Sequence, residues 1–133
     1  MRTLIVQSHY ALGQVWAGHL ERLGATVQHV TTGDEALAVI QDNPLDAIVL
    51  DLVLSEGSAL SIADFANFSQ PSANVVFVTD TTFFSDGSIF AHCANARAFV
   101  ETATPPEDLA AIVHHYGLDA SRAREVAHNQ AAD

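Results

Sequence analysis

Five short strand-like runs, each followed by a helical pattern of apolar residues, limit the folds that are open to this chain. The runs lie at residues 4–6, 26–30, 47–50, 75–78 and 98–100 and are rich in β-branched residues. Strands that alternate with helices in this way form a parallel sheet with helices on both faces. We therefore predict an α/β fold, a doubly wound five-stranded parallel sheet with helices on both faces.

The pattern fits one domain over residues 1–117, a size that buries about two-thirds of the surface exposed by an unfolded chain. Gly24 is predicted to cap the first helix, and Gly117 to end a last helix that begins near Pro105. Residues 118–133 are alanine-rich and polar, and we expect either a short extra helix or a frayed tail there.

Composition excludes several classes of function. Five basic residues stand against sixteen acidic ones, a formal charge of −11, which disfavours nucleic acid as a partner. The single cysteine, Cys93, cannot form an internal disulfide, and no apolar run approaches the thickness of a membrane. We expect a cytoplasmic protein without a membrane partner, whose acidity either maintains solubility or suits a basic partner.

The run over residues 46–58 contains the strongest candidate for a functional residue. Its apolar strand ends in Asp51, and polar turn residues follow. In open parallel sheets, ligands bind beyond the carboxyl ends of the strands, so position alone suggests a functional role for Asp51. The alternative is that Asp51 caps the next helix.

Four segments, taken together, resemble a known family; they are residues 32–37, 46–51, 78–79 and 95–100. Their order and spacing make residues 1–117 resemble the receiver domain of two-component response regulators, the CheY-like family. The resemblance implies that Asp51 is at the phospho-acceptor position. It also implies that Thr79 is the switch hydroxyl, and that Phe99 is the aromatic residue whose rotation reports phosphorylation. Alternatively, Thr79 is a strand-end hydroxyl bonded to backbone.

The chain departs from this family at the residues that supply charge. Where receivers carry two adjacent acids for Mg²⁺, this chain has Gln7 and Ser8, which offer neutral oxygens only. Where receivers carry a lysine after the fifth strand, it has Thr102, so the main fixed cation is missing. We therefore expect Mg²⁺ binding to be weak or absent, with no metal site and no cofactor.

Smaller departures lie beside the same pocket. Asp80 follows Thr79 where the family has a small residue, and it either replaces part of the lost acidic pair or lies in solvent. Ser55 stands where proline is common after the acceptor. His9 could be pH-sensitive or bind metal, but it is also a candidate surface or capping residue. The other histidines, His29 among them, show no metal spacing and receive no functional role.

Phe83 and Phe84 form the candidate partner surface, in the loop before a short helix predicted at residues 87–94. Adjacent aromatic residues cannot easily point the same way, so at least one ring is a candidate for an interface. The alternative puts one ring in the core and the other over the helix. A homodimer through the face that holds Phe83, Phe84 and Phe99 is compatible with this pattern.

These observations predict a stand-alone atypical receiver, a signalling protein-interaction module that is no enzyme and works without Mg²⁺-dependent phosphorylation. Its expected partner is a histidine kinase or another two-component protein. The alternative is a functional receiver that accepts phosphate on Asp51 from a histidine kinase. A flavodoxin-like domain that binds or converts a small molecule ranks last, because no glycine-rich phosphate loop follows the first strand.

Overall fold

A computed structural model describes residues 1–79 and 96–131, with side chains through residue 123. Strands and helices alternate along the chain, as the sequence pattern predicts. The elements are β1 (Arg2–Val6), α1 (Tyr10–Arg22), β2 (Thr26–Val30), α2 (Gly33–Asp42), β3 (Ala47–Asp51), α3 (Ala59–Ser69), β4 (Asn74–Thr79), β5 (Ala96–Glu101) and α4 (Pro106–Ala131). The helix predicted at residues 87–94 lies outside the described residues.

The five strands form one sheet in the order β2-β1-β3-β4-β5, and every pairing in it is parallel. This confirms the predicted doubly wound fold. The strand order reverses between β1 and β3, so a crevice opens beyond the carboxyl ends of these two strands. Asp51 is the last residue of β3 and therefore lies at this crevice.

Alternate residues of each strand point to opposite faces of the sheet and build two separate cores. On β3, Ile48 and Leu50 pack with α2 and α3, whereas Ala47 and Val49 pack with α1 and α4. All four side chains are fully buried. A strand covered on both faces needs apolar residues at every position, which explains the continuous apolar run in the sequence.

The ends of the helices follow local side-chain chemistry. His9 caps α1, because its ring accepts a hydrogen bond from the Leu12 amide, which confirms the capping alternative for this residue. Gly24 follows the end of α1 at φ 94°, and its amide and that of Ala25 bond back to the carbonyls of Glu21 and Leu20. This is a Schellman ending, and it explains why a glycine is needed there.

The prediction that the last helix ends at Gly117 was wrong. Helix α4 continues through this glycine to Ala131, and φ is positive only at Gly24 and Gly57 among the described glycines. Gly117 instead allows close packing, since a Cβ there would lie 2.5 Å from the sulfur of Met1 and 3.5 Å from Cβ of Ala47. The division into a domain of residues 1–117 and a C-terminal segment stays a prediction.

Within residues 1–79 and 96–131, no helix combines the length and the apolar character needed to cross a membrane.

Candidate functional site

Some of the site residues predicted from sequence, Gln7, Asp51 and Thr79, lie where β1, β3 and β4 end. Val6 pairs with Leu50 across the sheet, which brings the next residues of the two strands, Gln7 and Asp51, side by side. Asp51 in turn pairs with Val78, the residue before Thr79. The strand register therefore brings the ends of these three strands together around Asp51, at the edge of the sheet where we predict a pocket.

Both carboxylate oxygens of Asp51 accept hydrogen bonds from neutral donors. The side-chain amide of Gln7 donates to Oδ2 at 2.6 Å, and the backbone amide of Val53 donates to Oδ1 at 2.8 Å. Asp51 itself is partly buried. Hydrogen bonds to an ionised acceptor are among the stronger ones in proteins, so these two contacts hold the carboxylate in one orientation. We call the contact between Gln7 and Asp51 the amide clamp.

Gln7 is held so that its amide nitrogen faces Asp51. Its side chain is buried, with 3% of its surface exposed, and its Oε1 accepts a hydrogen bond from the His9 amide at 2.9 Å. Its backbone amide donates to the Val30 carbonyl at 3.1 Å, and its own carbonyl lies 3.0 Å from Nε2 of His29. Since the amide oxygen already has a donor, only the amide nitrogen is left for the carboxylate.

Ser8 is used to fix the loop after β3. Its hydroxyl donates to the Thr31 carbonyl at 3.2 Å and accepts from the Ser55 amide at 2.9 Å. A proline at position 55 would have no N–H to donate. The hydrogen bond to Ser8 therefore requires a residue other than proline at position 55.

Thr79 and Thr102 lie at the same end of the sheet on neighbouring strands. Thr79 is buried and pairs with Glu101, and its carbonyl accepts a hydrogen bond from the Thr102 amide at 3.0 Å. Thr102 is partly buried. Its side chain offers a hydroxyl at a place where the family resemblance implies a lysine.

Phe99 lies on the opposite side of the sheet from α1 and α4. Its ring stacks on Phe77 with the centroids 5.3 Å apart, and it packs against the core formed with α2 and α3. Phe99 is partly buried. The other predicted residues of the pocket and of the partner surface, Asp80, Phe83 and Phe84, lie outside the described residues.

Within residues 1–79 and 96–123, no lysine or arginine side chain contacts Asp51. All five basic residues of the chain are arginines, at positions 2, 22, 97, 122 and 124, and residues 80–95 contain none of them. Arg2 begins β1, Arg22 ends α1 and Arg97 is the second residue of β5, so all three lie at the amino end of the sheet. A strand of five residues spans about 17 Å, which separates these charges from Asp51.

The described residues do not fit the metal site that the resemblance implies. No group of three or more His, Cys, Asp or Glu side chains gathers within residues 1–79 and 96–123. Mg²⁺ requires hard oxygen ligands, yet the group of Gln7 that faces Asp51 is an N–H donor. A cation on Oδ2 would have to displace the amide clamp.

Sequence reasoning missed one residue of this site, His29, and the donor role of another, Gln7. Gln7 was considered as a weak oxygen ligand, although an amide beside a lone carboxylate can also donate a hydrogen bond. His29 received no role, although its ring reaches from the edge strand β2 to the Gln7 carbonyl. Gly13 is the one available signal for His29, but a glycine within a helix does not reveal which side chain lies over it.

No protein-family model and no curated protein sequence matches this chain. Solved structures do match it, and receiver domains of response regulators are among them. A CheY-like receiver domain protein from Methanospirillum hungatei is 21% identical over 91% of this chain and 96% of its own, with a TM-score of 0.81. NtrX from Brucella abortus, in complex with ATP, is 22% identical over 95% of this chain, with a TM-score of 0.82. The present chain spans only 29% of the NtrX chain.

A third similar structure is a response regulator from Burkholderia pseudomallei with a phosphorylated aspartic acid, a calcium ion and citrate. It is 22% identical over 96% of this chain and 74% of its own, with a TM-score of 0.74. At this level of identity the likeness shows the fold alone. The chain therefore has the receiver fold of CheY-like response regulators.

Proposed function

We propose that this chain is an atypical receiver that acts in signalling through protein contacts, with Asp51 serving as a structural carboxylate. The observation that carries the proposal is the amide clamp, the 2.6 Å hydrogen bond from Gln7 to Asp51. Each oxygen of Asp51 keeps a second lone pair, but each already accepts a hydrogen bond from an uncharged N–H, which makes the carboxylate a weaker nucleophile.

Electrostatics supports the same proposal. Transfer of a phosphoryl group is promoted by cations that stabilise the charge on its oxygens. At Asp51 the metal-binding acids are replaced by Gln7 and Ser8, and the lysine by Thr102. Since the chain has no lysine at all, no other segment of it can supply that ammonium group. A phosphorylated Asp51 would add negative charge to a pocket without a fixed cation.

The loop after β3 is fixed by the same replacements. Its backbone is bonded to Asp51 through Val53 and to Ser8 through Ser55. A loop held by neutral side chains suits a protein that presents one surface permanently.

The proposed partner is a protein of a two-component pathway, such as a histidine kinase, in the cytoplasm. The receiver fold and the acidic composition support a protein partner over nucleic acid. The proposed contact surface includes Phe83, Phe84 and Phe99, and a homodimer through it is a further proposal. Sedimentation of the wild type and of a Phe83→Ala, Phe84→Ala variant tests the homodimer, because the variant should dissociate at concentrations where the wild type does not.

The deciding experiment is chemical phosphorylation of the intact chain. Incubation with acetyl phosphate and Mg²⁺, or with a beryllium fluoride mimic, should leave its mass and its backbone NMR spectrum unchanged. A receiver that accepts phosphate under the same conditions serves as the positive control. Stoichiometric modification that disappears in Asp51→Asn would refute the proposal.

The second candidate is a working receiver that accepts phosphate on Asp51 from a histidine kinase. It is favoured by the position of Asp51 beside the strand that carries Thr79, and by the phosphorylated aspartic acid in the similar response regulator from Burkholderia pseudomallei. Transfer from a phosphorylated kinase to the wild type but not to Asp51→Asn would establish this function. Equal signal in both proteins would exclude it.

A further inference from the structure

We propose that His29 positions Gln7 and thereby keeps the amide clamp closed on Asp51. The side chains of Gln14 and His29 and the backbone carbonyl of Gln7 form a continuous set of hydrogen bonds, which we call the His29 relay. The inference rests on the proposed function and extends it. It assigns control of the contact between Gln7 and Asp51 to a residue on the edge strand β2. It predicts that the clamp opens when the relay is broken.

Both ring nitrogens of His29 have partners of defined chemistry. Nε2 lies 3.0 Å from the Gln7 carbonyl, and Nδ1 lies 3.0 Å from the side-chain nitrogen of Gln14. A carbonyl can only accept, so Nε2 carries the hydrogen and Nδ1 accepts from the Gln14 amide. The neutral ring in this tautomer satisfies all these groups at once.

The first turns of α1 are shaped around this ring. A Cβ at position 13 would lie 2.2 Å from Nε2 of His29, so a glycine is needed there. Tyr10, one turn earlier, stacks on the ring with the centroids 5.5 Å apart and the planes inclined by 25°. Glycine weakens a helix relative to alanine, and here it makes room for a specific contact.

The relay acts on the clamp through the backbone of Gln7. β1 ends at Val6, so the Gln7 carbonyl lies beyond the last residue pair of β1 and β2 and outside their regular hydrogen bonds. A buried carbonyl without a donor is costly, and the His29 ring supplies the missing N–H. If the ring is removed, the peptide after Gln7 should turn toward water, and its side-chain amide should leave Asp51.

Hydrogen exchange of the Gln7 side-chain amide, measured by NMR on the full chain, tests this inference. In His29→Ala and in Gly13→Ala, which displaces the ring, we expect this exchange to be about tenfold faster, the effect of losing one hydrogen bond. His29→Gln should restore slow exchange, because a glutamine amide can donate to the Gln7 carbonyl. His19→Ala is the matched control, since His19 contacts Arg22 on the same helix, outside the relay.

A purely structural role for His29 would change stability without changing this exchange. Urea unfolding followed by the fluorescence of Trp16 gives the stability of each variant, and exchange is compared only where the protein is folded. If His29→Ala does not fold, Gly13→Ala decides the question, and Gln14→Ala does so if neither folds. Unchanged exchange in the folded variants would overturn the inference.

The two proposals fail separately. Phosphorylation of wild-type Asp51 would refute the proposed function, but faster exchange in the relay variants would still support the role of His29. If Asp51 resists phosphorylation and the relay variants exchange like the wild type, the proposed function stands and the relay does not.

Discussion

Two carboxylates lie at opposite ends of strand β3, and each accepts a hydrogen bond from an uncharged N–H group. Asp46 lies directly before β3 and is almost fully buried; its Oδ2 accepts a hydrogen bond from the Arg2 amide at 2.7 Å. Asp51 ends the strand and accepts hydrogen bonds from Gln7 and Val53. The hydrogen bonds named here all come from N–H groups that carry no charge. The comparison supports the proposal that Asp51 is a structural carboxylate, where the family resemblance implies a reactive one.

The two ends differ in the charge that surrounds these carboxylates. At the amino end, Asn74 donates to the Tyr116 carbonyl at 2.8 Å and accepts from the guanidinium of Arg97 at 2.9 Å. At the carboxyl end the nearest donors are amides and a hydroxyl. The amino end therefore includes a cation in its polar network, whereas the amide clamp at the carboxyl end works without one.

The largest effect is expected at the amino end, for Gln70→Ala. The Gln70 side chain accepts from the Leu45 amide at 2.7 Å and donates to the Ile40 carbonyl at 2.6 Å, so it joins α3 to the chain after α2. Its removal leaves buried backbone groups without partners, and we expect a loss of about 2–4 kcal/mol in the free energy of unfolding. Urea unfolding measures this loss.

Gln41→Ala is the control for that change, because Gln41 is exposed on α2. Its effect should stay within about 0.5 kcal/mol. If both variants lose the same free energy of unfolding, the Gln70 contacts do not stabilise the amino end. The contrast between the two ends would then be wrong.

At the carboxyl end, Asp51→Ala should lower the free energy of unfolding by about 1–3 kcal/mol, because Gln7 would keep a buried donor without an acceptor. Asp51→Asn keeps one acceptor oxygen and should cost less. A double-mutant cycle with Gln7→Ala isolates the contact, and we expect a coupling of about 1 kcal/mol. A gain in stability on replacing Asp51 would mean that its charge is strained in the pocket, as in a reactive site.

The fold could be predicted from the sequence, whereas the chemistry of the pocket could be predicted only in part. Apolar runs such as residues 47–50 identify strands because a strand buried on both faces needs an apolar residue at every position. Gly117 was misread because a glycine can mark either a helix end or a close contact, and the contact with Met1 comes from the distant chain start. The replacements Gln7 and Thr102 were visible in the sequence, but not which atom of Gln7 would face Asp51.

A smaller effect is expected for Ser55→Pro, which removes the N–H that bonds to Ser8. We expect a loss of about 1 kcal/mol, the typical contribution of one hydrogen bond. Ser55→Ala keeps the N–H and should be neutral, because the contact uses the backbone only. In a Ser8→Ala background the proline should cost little, since its partner is already gone. If Ser55→Pro costs the same free energy of unfolding in both backgrounds, its effect does not come from the contact with Ser8. The two departures from the family would then be independent.

The smallest effect is a pH dependence at the start of α2, beside the pocket. The Thr32 side chain donates to the carboxylate of Glu35 at 3.0 Å, and this bond is the main cause that lowers the Glu35 pKa below its ordinary value of 4.5. A carboxyl whose pKa is lower in the folded state adds stability above its unfolded pKa and loses it as the pH falls through the folded value. Glu35→Gln should therefore be less stable than the wild type at pH 7, and the difference should vanish between about pH 5 and pH 3. Unfolding at these pH values measures the difference, and a Thr32→Val background should remove most of it. A difference that stays constant with pH would show that Glu35 acts by packing or helix propensity, and that its charge does not contribute to stability.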